Sequence, residues 1–204
     1  MTAPLVLQGA PIEIAPGALA MLGDSVRQLF PSYRVVLISD SQVAAIHGGA
    51  ALASFGSDVP LLLTFPAGER NKTRATWATL TDEMLAAGLG RDTVVVALGG
   101  GVTGDLAGFV AATYMRGVPF VQAPTTLLAM IDAAIGGKTG VDTAAGKNLV
   151  GAFHQPSMVV VDTRALDTLP PARLREGLAE AIKHGVIADA AYFGWIATSL
   201  RQIL

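Results

Sequence analysis

Residues 94–148 read VVVALGGGVTGDLAGFVAATYMRGVPFVQAPTTLLAMIDAAIGGKTGVDTAAGKN, and the start of that stretch decides the fold. Thr93 to Leu98 is an unbroken apolar run rich in β-branched residues, the composition of a parallel strand buried on both faces. Gly99-Gly-Gly101 follows, and then an Ala-rich stretch of helical character. Strand, glycine turn and helix in that order open a βαβ unit.

The same alternation extends outward. Arg34 to Ser39 is a short apolar run ending at Asp40, with a helix expected from about Gln42 to Phe55. Val59 to Phe65 predicts a strand, and Thr73 can cap a helix running to Ala87. Phe120–Gln122 and Met158–Val161 predict two more short strands. Nearer the N-terminus, Leu5–Leu7 and Pro11–Ile14 look like edge strands, and Gly17 to Phe30 like a helix stopped by Pro31. The expected class is α/β: a Rossmann-like, mostly parallel sheet with flanking helices. After Leu169-Pro170-Pro171 the strand signal ends. Arg173 to Leu204 has helical periodicity, with Gly185 and Asp189 marking a break between two helices. The expected division is an α/β domain over 1–170 and the start of an all-α domain over 171–204. That second part, ending within a helical pattern, reads as truncated.

Composition narrows the function. The chain has 204 residues, 51% hydrophobic and 15% charged, so a large core is expected and disorder is not. A net charge of −2 argues against nucleic-acid binding. The absence of Cys excludes disulfides and thiolate chemistry. No basic n-region precedes an apolar run at the start, and Arg116, Pro119, Pro124 and Asp132 interrupt the longest apolar stretches. A soluble, cytoplasmic protein without membrane partners is the expectation.

Gly99-Gly-Gly-Val-Thr-Gly104 matches G-x-G-x-x-G between a strand and a helix, the context in which backbone N–H groups meet a pyrophosphate. A glycine turn needed only for packing is the alternative. The acidic residue expected about 20 residues on for the ribose is missing, since that region reads Val118-Pro-Phe-Val-Gln122. Gly137-Lys138-Thr139 fails as a P-loop, because Asp132 stands where the first Gly should be. The only lysines are Lys72, Lys138, Lys147 and Lys183. Lys138 and Lys147 lie in glycine-bracketed segments, expected to be loops aiming an ammonium into a cleft or leaving it solvated. Pro124-Thr-Thr126 ends a strand, so its hydroxyls face a crevice, cap the next helix, or both. Glu180, Lys183 and His184 share one helical face, as an ion pair or as part of a metal site. His47 and His154 have no ligand spacing and read as structural or solvated. Tyr192, Phe193 and Trp195 predict apolar helical surface, and with it self-association or poor solubility.

Four segments in order, residues 99–117, 124–142, 146–156 and 177–185, resemble the 3-dehydroquinate synthase family of sugar phosphate cyclases. The resemblance runs from about Asp40 to Asp189. It implies an α/β domain that binds NAD, a helical domain, and an active site between them. It also implies a reaction on 3-deoxy-D-arabino-heptulosonate 7-phosphate: transient oxidation at C5 by NAD, phosphate elimination, re-reduction, ring opening and aldol closure. A divalent metal, Zn2+ or Co2+, polarises the C5 oxygen.

Carried over residue by residue, Gly100, Gly101, Val102, Thr103, Gly104 and Asp105 look like the pyrophosphate turn. Asp40 and Gln42, Glu69 and Lys72, and Thr125 and Thr126 look like further NAD contacts, with Ala165, Leu166, Asp167 and Thr168 on the nicotinamide side. Asp132, Lys138, Lys147 and Asn148 look like substrate and nicotinamide contacts, and Lys183 like a substrate lysine beside the metal. Arg116 resembles an arginine that reaches the substrate phosphate across a homodimer interface. Glu180 matches the first metal ligand. The family's other two ligands are histidines farther along than Leu204, so this chain alone is expected to be inactive. A related cyclase such as 2-deoxy-scyllo-inosose synthase, a more distant glycerol-dehydrogenase-like enzyme, and a non-catalytic NAD-binding module are the alternatives.

Overall fold

The computed structural model describes residues 5–7 and 9–203. Leu204, where the predicted helical stretch ends, lies outside them. The strands are β1 (Leu5–Leu7), β2 (Ala10–Ala15), β3 (Arg34–Asp40), β4 (Leu61–Phe65), β5 (Thr93–Gly99), β6 (Phe120–Pro124), β7 (Lys138–Thr143), β8 (Gly146–Phe153) and β9 (Met158–Asp162). The α-helices are α1 (Leu22–Leu29), α2 (Ser41–Val43), α3 (Gly49–Ala53), α4 (Arg74–Ala86), α5 (Gly101–Thr113), α6 (Pro171–Ala188) and α7 (Ala190–Ile203). A π-helical turn, Ala44–Gly48, joins α2 to α3, and another spans Ala129–Ala133.

Seven strands form one sheet in the order β1-β2-β9-β6-β5-β3-β4, parallel except where β1 meets β2. The α/β expectation therefore holds, with one correction. β2 is not an edge strand, since it lies between β1 and β9. The apolar run at 93–99 has the predicted cause: every residue of β5 is buried. Val94, Val96 and Leu98 pack with Leu22, Val26 and Phe55 on one side. Val95 and Ala97 pack with Met84, Leu106 and Phe109 on the other.

From β3 the chain moves outward to β4, then returns on the far side of β3 to form β5 and continue to β6. The carboxyl ends of β3 and β5 thus flank a topological switch point, where open α/β sheets bind ligands. Thr73 caps α4 as predicted, its hydroxyl accepting from the Thr76 N–H. The break between the two C-terminal helices is at Asp189 alone. α6 runs through Gly185, which has no Cβ where Phe193 of α7 approaches. At Gly177, α6 comes equally close to Leu127 and Leu128, and this contact brings α6 beside the Ala129–Ala133 turn.

A second correction concerns the segments 136–140 and 146–148, expected to be loops. Lys138 and Lys147 lie instead on a two-stranded antiparallel hairpin, β7–β8, packed against α5. β7 does alternate β-branched residues at Thr139, Val141 and Thr143, but Gly140 interrupts it and Gly146 and Gly151 interrupt β8, which hides the strand signal. Tertiary packing supplies what propensity lacks.

Candidate functional site

A cleft of about 750 Å³ opens at the switch point. Asp40 and Gln42 border it from the end of β3, Gly100, Gly101, Val102 and Asp105 from the β5–α5 turn, and Thr125 and Thr126 from the end of β6. The chain around Glu69 and Lys72 closes one side, and Thr168 to Pro170 lies at the mouth. An adjoining cavity of about 460 Å³ shares Asp105, Asp132 and Ala133 with the cleft and adds Lys138, Thr139 and Asn148. Many of the sequence-predicted residues therefore converge on two adjoining spaces, one beyond the glycine turn and one under the hairpin.

The turn divides its glycines between two jobs. Gly99 packs on Thr103 and Gly104 on Gln122, where a Cβ would lie 2.4 and 2.9 Å from the nearest atom. Gly100 and Gly101 instead border the cleft, and no side chain caps α5. The first-turn N–H groups and the positive end of the helix dipole are thus left for an anion, a fit for a pyrophosphate. Thr103 is buried, and its hydroxyl meets Asp40 Oδ2 at 3.3 Å. Asp40 Oδ1 accepts from the N–H groups of Gln42 and Val43, which fixes the carboxylate at the cleft edge. It occupies the neighbouring strand's end, a place the 20-residue rule does not search. Thr126 fulfils both predicted roles, facing the cleft and capping the next turn through the Ala129 N–H.

Lys72 is the electrostatic centre. Its side chain is 3% exposed. Nζ donates to Asp105 Oδ2 at 3.0 Å and Asn148 Oδ1 at 2.8 Å, with Glu69 at 3.4 Å and Asp142 at 3.7 Å. Burial pulls the ammonium's pKa down, but Asp105, Glu69 and Asp142 outweigh it and hold it above its ordinary value. Burial raises the Asp105 carboxyl more than Lys72 lowers it, with Glu69 adding to the rise and Lys138 opposing it. Lys147 pairs with Glu69 at 3.3 Å and lines a separate hollow with Arg70 and Arg74.

Several expected contacts lie elsewhere. Thr168 reaches the cleft, whereas Ala165 and Leu166 pack in the core with Val161 and Asp167 is exposed. Arg116 is exposed at the far end of α5 and borders neither space. It sits in a rare backbone run: Met115, Arg116 and Gly117 all have positive φ, at 50°, 71° and 119°. Glu180 forms an ion pair with Lys183, and His184 Nε2 lies 3.1 Å from its Oε1. The hydrogen bond with Lys183 lowers the Glu180 pKa and raises that of Lys183, which also feels Asp132. Among the described residues no group of three His, Cys, Asp or Glu could hold a metal. One carboxylate, already paired with Lys183, does not by itself make a metal centre.

His154 is structural, stacked on Phe120 at 5.2 Å. His47, given no role from sequence, borders the cleft. His47 Nε2 and the Thr168 hydroxyl lie 2.9 Å apart, and the same hydroxyl lies 3.0 Å from the Ala165 carbonyl. Burial lowers the His47 pKa, and Asp162 opposes the shift. The π-turn that aims His47 has no sequence signature. Arg173 and Glu176 of α6 also line the cleft and were not anticipated.

The sequence matches the family model described as 3-dehydroquinate synthase N-terminal over residues 62–176. The chain belongs to the 3-dehydroquinate synthase family. A 3-dehydroquinate synthase from Symbiobacterium thermophilum is 49% identical over 197 residues, covering 95% of this chain and 55% of the relative. The chain spans about half the length of the curated relatives it matches. Among solved structures, a 2-epi-5-epi-valiolone synthase from Streptomyces hygroscopicus with NAD+ and Zn2+ bound superposes with a TM-score of 0.86 at 32% identity, covering 100% of this chain and 56% of that one. A 2-deoxy-scyllo-inosose synthase complexed with carbaglucose-6-phosphate, NAD+ and Co2+ gives 0.80 at 35%, covering 87% and 48%. Among the described residues, no helix is long and apolar enough to cross a membrane.

Proposed function

We propose that this chain is the cofactor-binding side of a 3-dehydroquinate synthase, which converts 3-deoxy-D-arabino-heptulosonate 7-phosphate to 3-dehydroquinate and phosphate. The observation that carries the reading is the uncapped glycine turn at the β3/β5 switch point, opening into a second cavity that holds Asp132, Lys138 and Asn148. Identity of 46–49% to relatives of that name favours it over the cyclases at 32–35%.

NAD, when bound, would accept a hydride from the substrate carbinol and later return one to the ketone so formed. The chain's own work is placement. Gly100, Gly101 and the α5 dipole hold the pyrophosphate, Asp40 takes adenosine hydroxyls, and Thr125, Thr126 and Thr168 border the dinucleotide. Asp132, Lys138 and Asn148 receive the sugar phosphate, with Lys183 approaching from α6. In a homodimer of the full-length protein, Arg116 would act on the site of the second copy. Residues 1–170 form the NAD-binding unit and 171–204 begin the helical one. Among the described residues Glu180 alone matches a metal ligand of the family, so no step is assigned to a metal.

Calorimetry on the 204-residue chain is expected to show one NAD bound and no zinc bound stoichiometrically. No heat with millimolar NAD overturns the reading. Phosphate release from the heptulosonate phosphate is expected only from a version extended to the relatives' length.

A further inference from the structure

We infer that Asp142 is a positioning residue, a clamp that fixes Asn148 and so shapes the nicotinamide end of the site. The inference rests on the NAD-binding reading above.

The β7–β8 ladder runs regularly from Lys138–Phe153 to Val141–Val150, then resumes at Thr143–Gly146. Between those pairs one residue of β7, Asp142, faces Lys147, Asn148 and Leu149 of β8. Such bulges redirect side chains and recur beside active sites. At its centre Asn148 has φ 56°, a left-handed conformation that costs a non-glycine residue energy and persists only when its surroundings enforce it.

The enforcement comes from two directions. Asp142 Oδ1 accepts the Asn148 backbone N–H at 2.9 Å, and Lys72 Nζ holds the Asn148 side chain at 2.8 Å. Asp142 is itself fixed, its N–H donating to the Lys72 carbonyl at 2.7 Å and its neighbour Thr73 forming a bridge with it. Asp142 thus ties the hairpin tip to the Lys72 segment. It lies 3.7 Å from Lys72 Nζ, beyond hydrogen-bond reach, so its main work is on the Asn148 amide. Asn148 borders the cavity that meets the cleft at Asp105 and Asp132, the end assigned to nicotinamide and substrate.

The test compares NAD with ADP-ribose, which lacks the nicotinamide ring, by calorimetry on the whole chain. Asp142→Ala is expected to weaken NAD at least fivefold and to leave ADP-ribose within twofold of wild type. Asp142→Asn keeps an acceptor for the amide and is expected to bind both as wild type does. In an Asn148→Gly background, where positive φ is unstrained, Asp142→Ala is expected to cost less than twofold further. Hydrogen exchange at the Asn148 amide should be slow in wild type and Asp142→Asn and fast in Asp142→Ala. Equal loss for both ligands, or unchanged NAD binding in Asp142→Ala, overturns the clamp. If Asp142→Ala does not fold, Asp142→Asn decides: weak NAD binding there shows a role for charge and overturns it. A wild-type chain that binds neither ligand sinks the NAD reading instead, while amide exchange still judges the clamp.

Discussion

Lys72 carries a buried positive charge among three carboxylates whose own side chains remain partly solvated. Removing it leaves those carboxylates facing one another. Lys72→Met is expected to lower stability by about 3 kcal/mol in urea unfolding. A loss below about 1 kcal/mol would mean that solvent screens the cluster. The pH dependence follows from the direction of the shift. The folded-state pKa lies above the ordinary 10.5, so the stabilisation is complete below pH 10.5 and is lost as the pH climbs through the higher value. Wild type should therefore lose stability in that alkaline window more steeply than Lys72→Met. Resemblance singled out Lys72, but its environment was not legible. Asp105 and Asn148 are 33 and 76 residues away in sequence, and only the folded sheet brings them to one ammonium. His47 escaped for a similar reason, since a π-turn and a threonine 121 residues distant place it.

At the level of elements, the β5–α5 junction separates packing from binding. A Cβ on Gly101 would meet only the Ala133 Cβ at 3.5 Å, an ordinary contact. Gly101→Ala is expected to keep or slightly raise the melting temperature while weakening NAD at least tenfold by narrowing the cradle. Gly99→Ala should do the opposite. Its methyl would overlap buried Thr103 and cost about 1–3 kcal/mol, visible in a thermal melt. Identical behaviour of the two variants would refute the division of labour. Asp162 performs a purely architectural task at the end of β9. Its carboxylate accepts the N–H groups of Gly17, Leu19 and Arg164 from a buried position. Asp162→Ala should destabilise by about 2–3 kcal/mol in denaturant titration without altering NAD binding by the protein that stays folded. The long periodic elements could be read from sequence because burial on both faces writes itself as apolar runs. The β7–β8 hairpin is not read this way, because glycines break up the short β-branched alternation of β7 and the apolar pattern of β8, and α5 packing holds the pair in place.

On the scale of the whole molecule, the order of strands explains why distant motifs meet: β3, β5 and β6 are adjacent in the sheet, so their carboxyl ends share one cleft. α6 and α7 add a different surface. Val186, Ile187 and Trp195 are 68%, 74% and 58% exposed. Surfaces of this kind associate, so sedimentation should show concentration-dependent self-association. The double change Ile187→Glu, Trp195→Glu should shift the chain to monomer with NAD affinity unchanged. A wild-type chain that is monomeric at every concentration would refute this. The sheet itself is guarded against the same fate. β4 pairs only with β3 among the described residues, and its far side offers free backbone donors and acceptors to any passing strand. Pro60 precedes β4 and Pro66 follows it. Proline has no N–H to donate, so the ladder has no continuation at either end, and the template left for sheet growth is five residues long. Two imino acids, rather than charge, thus confine any edge-to-edge pairing through β4 to those five residues.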